Sequence, residues 1–310
     1  MYMNNKKPAF LITIDTEGDN LWQQPRNITT KNAAFLPRFQ SLCERYGFKP
    51  TYLTNYEMAK YDQFVEFGKD VQSRGTGEIG MHLHAWNSPP ITPLTTDDFK
   101  YQPFLIDYPE SIMRDKIAVM TDLLEEIFGT KMLSHRAGRW SFNDIYAQLL
   151  IEQGYCIDCS VTPHVSWQDI GGTDFSSYPE HAYFIDSEKK LLELPMTIMK
   201  YERSSLIKTL SKIPQIGRGV RHFWPTTTWL LPSRRNLKAI LALVQQAIAE
   251  KRPYIEFMIH SSELMPGGSP SFVNQRQIET LYHNMEILFE TISKNFIGMT
   301  LKDYYVDIKN

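Results

Sequence analysis

No stretch of the 310-residue sequence is apolar for long enough to cross a bilayer as a helix. The N-terminal run MYMNNKKPAFLITID carries no extended apolar region before a small-residue cleavage site. It does not read as a signal peptide, and a cytoplasmic address is expected. Cysteine is scarce. Three residues are too few, and odd in number, for the even disulfide set common in secreted proteins. A charge excess of one sign is also missing: 33 Lys and Arg stand against 35 Asp and Glu, a net charge of -2. That balance excludes a global field favouring nucleic acid or acidic membranes. No Walker or Rossmann glycine pattern, internal repeat or low-complexity tract occurs.

What is present has the mix of an ordinary globular protein, 42% hydrophobic and 22% charged. Short β-rich runs alternate with helical stretches. The strands read as PAFLITID (8–15), PTYLTN (50–55), EIGMHLH (78–84), LSHRAG (133–138), CIDCSVT (156–162), LLELPMTIM (191–199) and YIEFMIHS (254–261), with IGMTLKDY as a last one. Helical periodicity marks AAFLPRFQSLCERYG, PESIMRDKIAVMTDLLEEIFG, RNLKAILALVQQAIAEK and NQRQIETLYHNMEILFETISKNF. Alternation of this kind predicts an α/β fold with a parallel sheet, a barrel rather than an open doubly wound sheet. The length suits one large α/β domain or two small ones, and a single domain over 1–310 is expected. Parity supports the barrel. Phe10, Ile12 and Ile14 share one face and Leu11, Thr13 and Asp15 the other, while Ile255, Phe257 and Ile259 oppose Glu256, Met258 and His260. Cys156 and Cys159 form C-x-x-C, but on a strand they point to opposite faces, so structural cysteines are expected rather than a redox or zinc pair.

Polar residues gather at strand ends: Asp15-Thr16-Glu17-Gly18-Asp19, His82-Leu83-His84-Ala85-Trp86, His135-Arg136-Ala137-Gly138-Arg139-Trp140, and His260-Ser261-Ser262-Glu263. In a parallel barrel these ends share one rim, where active sites lie. His82 and His84 are two apart, so both imidazoles face the same way, as do Asp15 and Glu17. Two imidazoles and a carboxylate with open positions form a catalytic metal set of the zinc type. The bland reading of His82 or His260 is a hydrogen-bonded structural histidine, and that of Arg136 a plain salt-bridge residue. His135, on the opposite face from Arg136, reads as structural. Trp86, Trp140, Trp167 and Trp224 border rim loops, where aromatic faces suit sugar rings.

These motifs, in this order, resemble the polysaccharide deacetylases with the NodB-homology fold. LITIDTEGD looks like the first motif, EIGMHLHAW the second, SHRAGRW the third, YCIDCSVTP the fourth and FMIHSSELMPGG the last. The chain stands nearer the D-x-E branch and resembles proteins of bacterial surface-polysaccharide biosynthesis. Three departures stand out. Thr16 follows the base where a second aspartate is usual, so Glu17 must act as ligand. Trp86 occupies the fourth position after His82, so His84 must supply the second imidazole. Gly138 replaces the third motif's proline.

The resemblance implies a distorted (β/α)7-type barrel and a metal-dependent removal of acetyl from an N-acetylated sugar. Glu17, His82 and His84 would hold a divalent ion, zinc before nickel or cobalt, with Asp19 in reserve. Asp15 would be the base, Arg136 its orienting cation and His260 the acid, with Asp158 holding Arg136 or His260. Trp86, Trp140, Arg139 and Glu263 are assigned to the substrate. The basic stretch from Lys200 to Arg235, with Arg218, Arg221, Arg234 and Arg235, reads either as a solvated face or as a site for a sugar's diphosphate handle; peripheral membrane contact is compatible with it. Two rival readings are a catalytically silent carbohydrate-binding protein on the same barrel and a metal-free carboxylate glycosidase using Asp15, Glu17 or Glu263.

Overall fold

The computed structural model describes residues 7–200 and 227–309. Eleven strands occur among them: β1 (Ala9–Thr16), β2 (Thr51–Thr54), β3 (Glu78–Leu83), β4 (Ser134–Ala137), β5 (Ile157–Asp158), β6 (Tyr183–Phe184), β7 (Leu192–Glu193), β8 (Ile198–Lys200), β9 (Thr227–Trp229), β10 (Tyr254–His260) and β11 (Ile297–Met299). Seven of them run parallel in the order β10-β1-β2-β3-β4-β5-β7, curling into an incompletely closed α/β barrel. β6 lies antiparallel on the β7 edge, and β11 pairs with the start of β1.

The predicted parity holds except at Met258, which joins the same cluster as its neighbours Phe257 and Ile259. Phe10, Ile12, Ile14, Ile255, Phe257 and Ile259 face the outer core, under the helices. Leu11, Leu53, Ile157, Cys159, Leu192 and Leu194 form a smaller inner core. Phe10, Phe48, Phe257 and Phe289 meet edge to face, with Phe289 supplied by the helix Gln275–Ser293. Each such buried side chain contributes about 1.5–3 kcal/mol by leaving water. The helices start and stop by local chemistry: Asn274 accepts from the Gln277 amide at 3.1 Å, and Gly129 ends Glu110–Phe128 with φ 63°.

Three sequence readings change. CIDCSVT keeps only two strand residues, because the Asp158 carboxylate accepts from the Ser160 amide (2.9 Å) and turns the chain. LLELPMTIM splits at Pro195 into β7 and β8, and β8 turns away to pair antiparallel with β9. IGMTLKDY is a strand only to Met299, then the helix Leu301–Lys309. The split leaves the free edge of β10 capped by Thr197 Oγ1 on the Glu256 amide and by the Leu230 carbonyl on the Met258 amide. Cys159 is buried and Cys156 half-buried; all three cysteines are free. No helix among the described residues is long and apolar enough to cross a membrane.

Candidate active site

Strand register builds the site. β1 and β10 align Asp15 with His260, and β3 and β4 align His82 with Arg136. Four side chains from distant segments therefore reach one rim without any loop to place them.

Glu17, His82 and His84 come together as the sequence predicts, their ligand atoms all within 4.8 Å of one another and all three buried. Glu17 Oε2 lies 2.9 Å from His84 Nε2 and 3.5 Å from His82 Nε2. Donors about 2.1 Å from a tetrahedral ion sit roughly 3.4 Å apart, so these spacings fit one. The His82 ring is also set for ligation. Its Nδ1 donates to the Arg136 carbonyl at 2.9 Å, which leaves Nε2 as the free donor atom. His84 Nδ1 is buried and has no partner among the described residues. Its ring is instead held by packing: Trp86 stands 5.2 Å away, and a Cβ at Gly138 would lie 2.6 Å from His84 Nδ1. Gly138 and His84 are thus coupled, since any larger residue at 138 collides with the second imidazole.

Thr16 does not line the cavity, and its hydroxyl donates back to the Ile14 carbonyl at 3.0 Å. Asp19 is not a reserve ligand either. Its carboxylate accepts from Thr29 Oγ1, the Lys31 and Asn32 amides and Asn32 Nδ2, at 2.7–3.0 Å, and so fixes the loop after β1.

Arg136 is fully buried and uses every donor group. Nη1 reaches Asp15 Oδ1 at 2.6 Å, Nη2 reaches Thr13 Oγ1 at 2.7 Å and also Glu256 Oε1, and Nε reaches the Cys159 carbonyl at 3.0 Å. Burial opposes the charge on Asp15, yet Arg136, then His82 and His260, hold it below the usual carboxylate range. Burial pushes Glu256 up to about 7 despite Arg136. For Glu17, hydrogen bonds with His82 and His84 overcome burial and hold it far below that range.

His260 points Nε2 toward Asp15 Oδ2 at 4.0 Å and Nδ1 toward Glu263 Oε2 at 3.2 Å. Burial disfavours its charge, but Glu263, with help from Glu17 and Asp15, pushes it up to about 9. Glu263 therefore sits behind the histidine and does not line the cavity, contrary to its assignment to substrate. Asp158 also departs from expectation. It contacts neither Arg136 nor His260; its Oδ1 lies 2.6 Å from His135 Nδ1 and accepts from Ser160 Oγ at 2.9 Å. Holding Arg136 falls to Glu256 and Thr13.

Asp15, Glu17, His82, His84 and His260 border a cavity of about 340 Å³, within the range of small-ligand sites. Trp86, Trp140, Arg139 and Trp167 line it, joined by Trp22 and Phe99. Trp86 stacks on Phe99 at 3.8 Å, and Trp140 covers the Arg136 guanidinium at 4.8 Å. Arg139 and Trp140 both adopt left-handed backbone, φ 56° and 60°, a conformation costly for residues with a side chain. Trp224, Arg218 and Arg221 lie outside the described residues, and Arg234 and Arg235 are exposed. Sequence reasoning missed Glu256, although its parity and its charge inside an apolar strand were a usable signal. It also missed Trp22 and Phe99, which sit in loops without periodicity.

No family model matches the chain, and no curated protein matches it in sequence. Solved structures do. A Mycobacterium smegmatis protein provisionally named a polysaccharide deacetylase superposes with a TM-score of 0.58 at 14% identity, covering 100% of this chain and 92% of that one. PuuE allantoinase gives 0.51 at 13% identity over 96% and 88%. The Xyl-CE4 domain of a multidomain xylanase from the hindgut metagenome of Trinervitermes trinervoides gives 0.47 at 12% over 98% and 92%. The chain has the barrel fold of the polysaccharide deacetylases.

Proposed function

We propose that the chain is one catalytic domain, 1–310, that hydrolyses the acetamide of an N-acetylated sugar with a divalent metal, zinc first, during surface-glycan or lipopolysaccharide precursor synthesis. One observation carries the reading: the converging Glu17, His82 and His84 stand in one cavity with an Arg136-bound Asp15 and a His260 backed by Glu263.

An ion bound by these three residues would acidify a water and polarise the acetyl carbonyl. The chain's own groups supply the rest. Asp15 has one oxygen tied to Arg136; Oδ2, which faces His82 and His260, is left to take the water's proton. Arg136 keeps Asp15 ionised and fixes its angle. As the water oxygen bonds to the carbonyl carbon and the C–N bond breaks, His260 Nε2 gives its proton to the departing nitrogen. Acetate and the free amine result. Trp22, Trp86, Trp140 and Trp167 offer apolar faces to the sugar ring.

The finer idea of a diphosphate handle has no support among the described residues. The silent-binder reading keeps one specific observation: the 2.9 Å contact pairs His84 Nε2 with Glu17 Oε2 without an ion. The glycosidase reading has less, since Asp15 is bound to Arg136 and Glu263 turns to His260. Elemental analysis separates the first two. About one zinc, nickel or cobalt per chain, with chelator-sensitive acetate release, is expected of a deacetylase; no metal after soaking at neutral pH leaves the binder.

A further inference from the structure

Two arginines stand three residues apart at the end of β4 with opposite bonding states, and of the two only Arg139 lines the cavity. Arg136 is saturated by Asp15, Thr13, Glu256 and the Cys159 carbonyl. Arg139, half-buried and lining the cavity, has no hydrogen bond and no ion pair among the described residues. Its guanidinium lies 5.9 Å from the centre of the Phe99 ring, which stacks on Trp86. The charge of Glu17 acts on it across the cavity, but without contact. Other charged groups at this cavity have a partner: Asp15 has Arg136, Glu17 has His82 and His84, and His260 has Glu263.

The backbone is bent to put Arg139 there. Gly138 leaves room for His84, and Arg139 and Trp140 then take consecutive left-handed conformations, which a side chain makes costly. A planar five-donor group, partly stripped of water and given no acid, matches an oxyanion that arrives with a ligand.

We propose that Arg139 binds an anionic substituent of the sugar, a carboxylate or a phosphate, so that the substrate is an acidic N-acetylated sugar. This deepens the deacetylase reading and rests on it for the acetamide, though not for the anion. The aromatic lining takes the ring faces while Arg139 pairs with the acid group at the same cavity wall.

The test uses the full metal-loaded chain and three probes: N-acetylglucosamine, its uronate and its 1-phosphate. Binding is followed by tryptophan fluorescence, since four tryptophans line the cavity, and by calorimetry. At least one anionic probe should bind roughly tenfold or more tightly than the neutral sugar, the scale of one charge-assisted contact. The stronger of the two identifies the acid group. R139Q should lose that preference and R139K keep part of it, with metal content and melting temperature unchanged in both. Equal binding of neutral and acidic probes by the wild type, or a preference that survives R139Q, overturns the proposal. The two readings fail separately. Arg139-dependent binding without acetate release removes only the deacetylase, whereas equal acetate release from neutral and acidic sugars removes only the acidic specificity.

Discussion

Two histidine–carboxylate clusters occupy neighbouring strands of one barrel and have different fates. In one, His82, His84 and Glu17 turn their donor atoms toward a common point beside a cavity. In the other, His135 bonds Asp158 at Nδ1 and the Tyr146 hydroxyl at Nε2, at 2.6 and 2.9 Å, and Ser160 satisfies the carboxylate again. Both are buried and both mix the same residue types. What separates them is unused bonding capacity at an open wall. The first has it, so it can take an ion; the second is closed by its own neighbours and holds the strands together.

The largest expected effect tests that contrast directly. Glu17→Ala and His82→Ala should each abolish metal retention and cut acetate release by on the order of 10³ or more. His135→Phe should retain about one metal per chain and most activity, yet lose about 3 kcal/mol of stability, because Asp158 stays buried without its partner. Elemental analysis and urea unfolding read the two quantities. Loss of metal in His135→Phe would erase the distinction between the clusters.

Next in size is the acid. His260→Ala should lower kcat by about 10²–10⁴. His260 works only while protonated, so the rate should fall as pH rises through about 9. Glu263 is the main partner holding that proton. Glu263→Gln should therefore move the fall to lower pH, which a kcat–pH profile will reveal. An unmoved alkaline limb would remove His260 from that role.

The smallest effect sharpens the open cluster. Gly138→Ala places a methyl 2.6 Å from His84 Nδ1 and should weaken metal affinity roughly 10–100-fold by tilting the ring. Competition with a chromogenic chelator measures it, and an unchanged affinity would show that Gly138 does not position His84.

The local sequence determined a good deal. Period-two patterns placed β1, β3, β4 and β10, and their polar ends named Asp15, Glu17, His82, His84, Arg136 and His260 before any fold was known. That works because side-chain direction along a strand depends only on the residue's own backbone. Partnership does not. Motif order points Asp158 to Arg136 or His260, yet it lies on His135; it points Glu263 to substrate, yet it lies on His260; it leaves Asp19 as a reserve ligand, yet it ties a loop. Glu256 takes the place at Arg136 from 120 residues away. Those pairings follow from strand register and from the turn that each loop takes. Both are settled by packing across the whole barrel: His135 and Asp158 stand 23 residues apart and Arg136 and Glu256 120, and only Glu263, three residues from His260, shares a local stretch with its partner.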